Sequence, residues 1–214
     1  MDTTERRELE RKARENSIID TAERLFQERG FDGSPVEEIA REAGFTKRTV
    51  YQYFSSKEEL LFAVAVRQLS KTDFTPLPEK AERSLTAQEW LKKSCDDFFL
   101  TCMNNTSETA FVNRAFTILE SAENGTWKQT FVNRTMEYYR IIMEIMQAGI
   151  AEGSIRADLE PEKAAFAFLS VLTDFIRYLS AGTDTNSAYR PLPAQELFRY
   201  SLDMLLRSTA AHSA

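Results

Sequence analysis

Apolar positions recur every three or four residues along nearly the whole chain, the spacing that places side chains on one face of a helix. Ile18, Ala22, Leu25 and Phe26 form a first such face, and Val36, Ile39 and Ala40 a second, shorter one. Leu60, Leu61, Ala63, Val64 and Leu69 predict a longer helix starting near Ser56, and Leu91, Phe98 and Phe99 one opening at Thr86. Phe111, Phe116 and Leu119 mark another, from about Ser107 to Ser121. Trp127, Phe131, Tyr138, Ile141 and Ile145 mark a long one ending near Gly153. From Ala164 to Leu179 the chain is apolar nearly all round, so that helix needs partners on more than one side. Leu197, Phe198, Leu202 and Leu205 give the last. No alternating strand pattern competes, and all six prolines fall at helix boundaries or in loops. The fold class is all-α.

Stop and start signals divide this series. Residues 1–15 form a densely charged N-terminal arm, expected as a frayed helix. Residues 16–70 form a helix-turn-helix domain, 71–85 a linker around Thr75-Pro76-Leu77-Pro78, 86–209 a C-terminal helical domain, and 210–214 a tail. Thr86 with Glu89 is a capping box, in which each residue's side chain accepts from the other's backbone N–H.

The stretch Ser34 to Leu60 carries the most chemistry. Ser34, Pro35 and Glu37 read as a helix start with a capping box, and Gly44 as the stop. Thr46 can cap a second short helix ending near Phe54, and Ser56 a third, with Glu58 and Glu59 near capping-box distance. On the second helix Val50 and Phe54 point one way, joined by Phe45, while Arg48 and Gln52 point the other. Thr49 and Tyr51 flank that outer face, with Lys47 and Tyr53 at its sides. From Ala43 to Lys57 there are three cations and no acid. Such a face suits a DNA major groove, where Arg pairs with guanine and Gln with adenine while Lys, Thr and Tyr hold phosphates. A solvated helix face is the bland alternative for three cations alone; the capped helix pair around them favours DNA.

Gly30-Phe31, the run Val36 to Phe45, Lys47 to Phe54 and Ser56 to Leu60 together resemble the tetracycline-repressor (TetR) family in order and spacing over roughly Ile18 to Val66. The resemblance implies an all-helical homodimer with an N-terminal three-helix DNA-binding domain and a C-terminal ligand-binding and dimerisation domain. It implies a ligand-responsive transcriptional regulator, acting as a repressor on a palindromic operator. The expected DNA-binding residues are Ser34, Pro35, Val36, Thr46, Lys47, Arg48, Thr49, Tyr51, Gln52, Tyr53 and Lys57. The implied effector is small and largely apolar or aromatic. Its candidate contacts are Trp90, Phe98, Phe99, Phe111, Trp127, Phe131 and Tyr138, with Asp97, Asn113, Arg114 and Arg134 as polar fixing points. Each of these aromatics also suits a plain core position. The expected dimer interface is Phe168, Leu172, Phe175, Leu179, Phe198, Leu202 and Leu205.

Charge and composition narrow the alternatives. The 214-residue chain carries a net charge of −6, with 12 Lys+Arg against 14 Asp+Glu in residues 1–70. Basic character is therefore local, which argues against a protein that coats nucleic acid nonspecifically. The one histidine, His212, lies in the tail, so neither a His-based triad nor a histidine metal cluster is available. No phosphate-cradling glycine loop is present either. No enzyme, metal or cofactor is expected. The N-terminus has no apolar signal core and no run long enough to span a bilayer, so a cytoplasmic location is expected. Cys95 and Cys102 lie about 10 Å apart along one helix, too far for a mutual disulfide, and read as reduced core thiols.

Overall fold

The computed structural model describes residues 2–71, 76–79, 82, 84–180 and 193–211. Within them run α1 (Thr3–Arg29), α2 (Val36–Glu42), α3 (Lys47–Tyr53), α4 (Lys57–Leu69), α5 (Ala87–Asn104), α6 (Thr106–Ile118), α7 (Thr126–Glu152), α8 (Pro161–Ser180) and α9 (Ala194–Thr209). Among the described residues the only β-type pairing is an isolated bridge between Ile155 and Ala210. No described helix is long and apolar enough to cross a membrane.

Two compact units emerge, and they are not two contiguous stretches of chain. Met1–Ser70 packs with Phe111–Val132, and Lys71–Ala110 packs with Asn133–Ala214. Periodicity cannot reveal this arrangement. It reports which face of a helix is buried but not against which helix, and α6 and α7 are each shared between units.

In the first unit Ile18, Ala22, Leu25 and Phe26 of α1 close over Val36, Ile39 and Ala40 of α2, Val50 of α3 and Leu60, Leu61 and Val64 of α4. Phe111 joins the same core, and Trp127 packs against it. Arg67 of α4 clasps Asp20 and Glu23 of α1. The charged arm is not frayed. Asp2 caps α1 in a capping box with Glu5, and the helix runs unbroken from Thr3.

In the second unit α5, α8 and α9 pack on one another. The rings of Phe99 and Phe198 stack with centroids 3.9 Å apart. Burial pushes the Cys102 thiol up to about 11, and drives Cys95 higher still. Neither forms a thiolate readily, which fits buried core thiols. Phe168, Leu172, Phe198 and Leu202 are between 2 and 4% exposed. They fill the chain's own core, so the expected partner-facing stripe is out of phase. The open faces carry Phe166, Val171 and Tyr178 on α8, and Tyr200 and Met204 on α9. Phe175 and Leu205 are half-buried, and the side chain of Leu179 lies outside the described residues, as do linker residues 72–75, 80, 81 and 83 and His212.

Candidate nucleic-acid interface

The turn between α2 and α3 depends on Gly44, whose φ of 77° is a left-handed conformation that glycine adopts without a Cβ penalty. The Phe45 N–H then returns to the Ala40 carbonyl at 2.8 Å, fixing the angle at which α3 leaves. Thr46 caps α3 by accepting the Thr49 N–H at 3.1 Å. Ser56 does the same for α4, accepting from the Glu59 N–H at 3.1 Å.

Two parts of the start signal work differently from the expectation. Pro35 occupies the N-cap of α2 and no side chain caps it. Ser34 is fully buried, with its hydroxyl 2.8 Å from the Gly30 carbonyl and 3.0 Å from that of Leu25. It pins the loop to α1 and has no surface to offer a partner. Val36 is also buried, at 6% exposure. Both leave the set of candidate DNA contacts, while Pro35 stays exposed.

On α3 the inner face is closed by Val50 and Phe54, each 1% exposed, with Phe45 packed against the same core. Arg48, Tyr51 and Gln52 stand exposed on the outer face beside Lys47, with Thr49 half-buried. Lys47 is held by Glu37 of α2 and lies 5.7 Å from the Tyr51 ring centroid. The Glu37 hydrogen bond raises the Lys47 ammonium above its ordinary value, and the same bond lowers the Glu37 carboxyl. Both partners are well exposed, so the pair is a weak latch that a phosphate can displace. Glu37→Gln is therefore expected to tighten duplex binding by roughly two- to tenfold at low salt, the gain shrinking as salt rises. Fluorescence anisotropy at several salt concentrations checks this, and unchanged affinity at low salt would show that Lys47 is not restrained.

Lys57 lies over the Phe31 ring at 4.4 Å from its centroid, and Arg114 lies near the same ring at 5.6 Å. Desolvation there pulls the Lys57 ammonium below its ordinary value. Arg114 also meets Asp32 at 3.3 Å. It is thus part of the first unit's surface.

The other expected effector contacts divide between the units in the same way. Phe111 contacts Phe26, Phe131 packs against Phe62 and Phe116, and Trp127 stacks on Phe54 at 6.4 Å, all in the first unit with Asn113. Trp90, Asp97, Phe98, Phe99, Arg134 and Tyr138 belong to the second. There Phe98 meets Tyr138 at 6.0 Å, and Asp97 pairs with Lys93 on the surface. Arg134 pairs with Glu137 at 2.5 Å.

Glu59 has a role that the sequence reading missed. Its side chain is 4% exposed, and its carboxylate accepts the N–H groups of Trp127 and Lys128 at 2.9 Å each. Read as a local capping residue of α4, it instead caps the first turn of α7, where helix N–H groups lack partners. The available signal was its place at the edge of the continuous apolar run Leu60 to Val66, where a solvated glutamate does not belong.

A pair of short helices joined by a tight turn that buries one face and presents Arg48, Tyr51 and Gln52 on the other defines a helix-turn-helix DNA-binding protein. Residues 18–64 match the model of the tetR family of bacterial regulatory proteins. That stretch is therefore a DNA-binding domain of this family's type. It is 26% identical over 156 residues to the HTH-type transcriptional repressor KstR2 of Rhodococcus jostii, covering 73% of this chain and 74% of that one. It is 26% identical over 144 residues to the fatty acid metabolism regulator protein of Bacillus subtilis, covering 67% and 71%. Its fold is similar to that of AibR in complex with isovaleryl coenzyme A and operator DNA, at a TM-score of 0.60 and 23% identity, covering 90% of this chain and 98% of that one. The chain is accordingly a transcriptional regulator.

Proposed function

We propose that the protein is a ligand-responsive repressor that reads a palindromic operator as a homodimer and is released by a small, largely apolar effector. The observation that carries the DNA half of this reading is the outer face of α3, where Arg48 and Gln52 stand exposed opposite Val50 and Phe54. Pro35, Thr46, Lys47, Thr49, Tyr51, Tyr53 and Lys57 surround it as phosphate and sugar contacts. Selection of bound sequences from random duplexes tests the class and yields the operator together. The expected result is two inverted half-sites whose centres lie about 34–36 Å apart, one turn of DNA. Enrichment of no sequence would reject the reading.

Arg48 is assigned to a base pair. Arg48→Ala is expected to cost about 1–3 kcal/mol of operator binding and to relax preference at one base pair in each half-site. Repeating the selection with the variant checks it, and an unchanged consensus would show that Arg48 does not read bases.

The effector is assigned to the second unit, with Trp90, Phe98, Phe99 and Tyr138 as apolar contacts and Arg134 as a polar one. The printed names of similar proteins, one a fatty acid regulator and one a complex with an acyl-coenzyme A, support acyl thioesters as the first compounds to try. A ligand releases DNA only by the ratio of its affinities for the two states of the repressor. The chain has two tryptophans, one in each unit, so Trp90→Phe and Trp127→Phe separate the fluorescence of the two units. A ligand that quenches Trp90 yet leaves operator affinity untouched would show that its site and the DNA face are uncoupled.

A further inference from the structure

The helix α1 begins well before the core it serves. Its first buried residue is Ile18, so the segment from Thr3 overhangs by roughly four turns. This overhang is a formed helix, started by the Asp2–Glu5 capping box. Taken as a whole it has no charge to distinguish it. Arg6, Arg7, Arg11, Lys12 and Arg14 balance Asp2, Glu5, Glu8, Glu10 and Glu15.

The arrangement on the helix differs from the composition. At about 100° per residue, Arg7, Arg11 and Arg14 fall within about 60° of one another, on the stripe that continues into Ile18 and Leu25. That stripe packs onto the helix-turn-helix once the core begins. Glu8 and Glu15 lie off to one flank, and Glu10 is engaged by Arg6 at 3.1 Å. All three arginines are exposed, and none forms an ion pair among the described residues. The stripe also arrives at the DNA-reading element. The Arg11 guanidinium carbon lies 6.0 Å from the centroid of the Tyr53 ring, at the last residue of α3.

We propose that the α1 overhang is a second DNA contact, in which Arg7, Arg11 and Arg14 hold backbone phosphates of the duplex flanking the base pairs read by α3. The inference rests on the proposed reading of α3 as the recognition helix and extends the interface to an element outside the helix-turn-helix. Three arginines along about 10 Å of helix contact phosphates without specifying sequence. They add affinity and salt dependence, and they leave the consensus alone.

The test uses the full chain with all three arginines replaced (R7Q, R11Q, R14Q) and a charge-keeping control (R7K, R11K, R14K). Each phosphate contact contributes about 0.9 to the slope of log K against log salt. The Gln variant is therefore expected to lose about 2 to 3 from the slope per protomer and at least about tenfold in affinity at low salt. Its selected consensus should stay unchanged, and the Lys variant should keep the slope. Hydroxyl-radical footprinting of the wild type should show protection outside the consensus that the Gln variant lacks. An unchanged slope, or a wild-type footprint confined to the consensus, would overturn the contact while leaving the reading of α3 intact. The wild-type footprint decides the matter even if the Gln variant fails to fold. A wild-type protein that selects no sequence would instead remove the reading of α3, and the overhang contact with it.

Discussion

Replacing the buried Glu59 by alanine is expected to lower the stability of the protein by about 2–4 kcal/mol. The Glu59 carboxylate accepts two N–H groups from the start of α7. A hydrogen bond to a charged group contributes about 1.5–3 kcal/mol, and buried donors left without a partner cost a further desolvation penalty. The two bonds share one carboxylate, so their contributions do not add in full. Trp127, whose N–H Glu59 accepts, stacks its ring on Phe54 at the C-cap of α3. Glu59 therefore fixes the turn that supports the end of the recognition helix. Glu59→Gln keeps one acceptor and should fall between the two. Gly125→Ala should act from the other side, because a Cβ there would sit well inside contact distance of the same carboxylate. Urea unfolding of the three variants measures this. A loss below about 1 kcal/mol for Glu59→Ala would show that water replaces the carboxylate at little cost.

Placing a charge on the exposed apolar residues of α8 and α9 is expected to abolish the proposed homodimer and most of the operator binding. Among the described residues nine large apolar side chains are exposed, and five of them (Phe166, Val171, Tyr178, Tyr200 and Met204) lie on these two helices. The homodimer proposed above would cover these side chains with a second copy of the chain related by a two-fold axis. Asp174 and Arg177 already pair with each other at 2.9 Å on α8 and need no partner at its rim. Phe166→Glu combined with Tyr200→Glu introduces four charges across a symmetric interface and should give a monomer at micromolar concentration by sedimentation equilibrium. Because a monomer reads one half-site, operator affinity should fall by at least about 100-fold. A variant that remains dimeric would place the interface elsewhere.

The helices, their order and the exposed polar face of α3 were legible in the residues. The spacing of Val50 and Phe54 put Arg48 and Gln52 outside, and Gly44, Thr46 and Ser56 marked the turns, because these signals act within one or two helical turns of chain. The phase of α8 was not legible. Its apolar residues cover most of its circumference, so the pattern could not distinguish Phe168 and Leu172, which fill the core, from Phe166 and Val171, which do not. The expected set of effector contacts was likewise divided, since helical spacing places Phe111 and Phe131 on buried faces without stating which unit buries them.

What the sequence determined by itself is local: nine helical stretches, the caps at Thr46, Ser56 and Thr86, and one short helix with a polar outer face. Backbone hydrogen bonds, capping side chains and the 3.6-residue repeat connect only near neighbours, so each could be read from the adjoining residues. The tertiary structure decided every pairing between distant residues. Ser34 became a buried anchor for Leu25 and Gly30, and Glu59 reached the first turn of α7. Arg67 clasped Asp20 and Glu23, and Phe111–Val132 joined the first unit. A polar side chain that leaves water must find a partner wherever the packing provides one, and packing is a property of the whole chain.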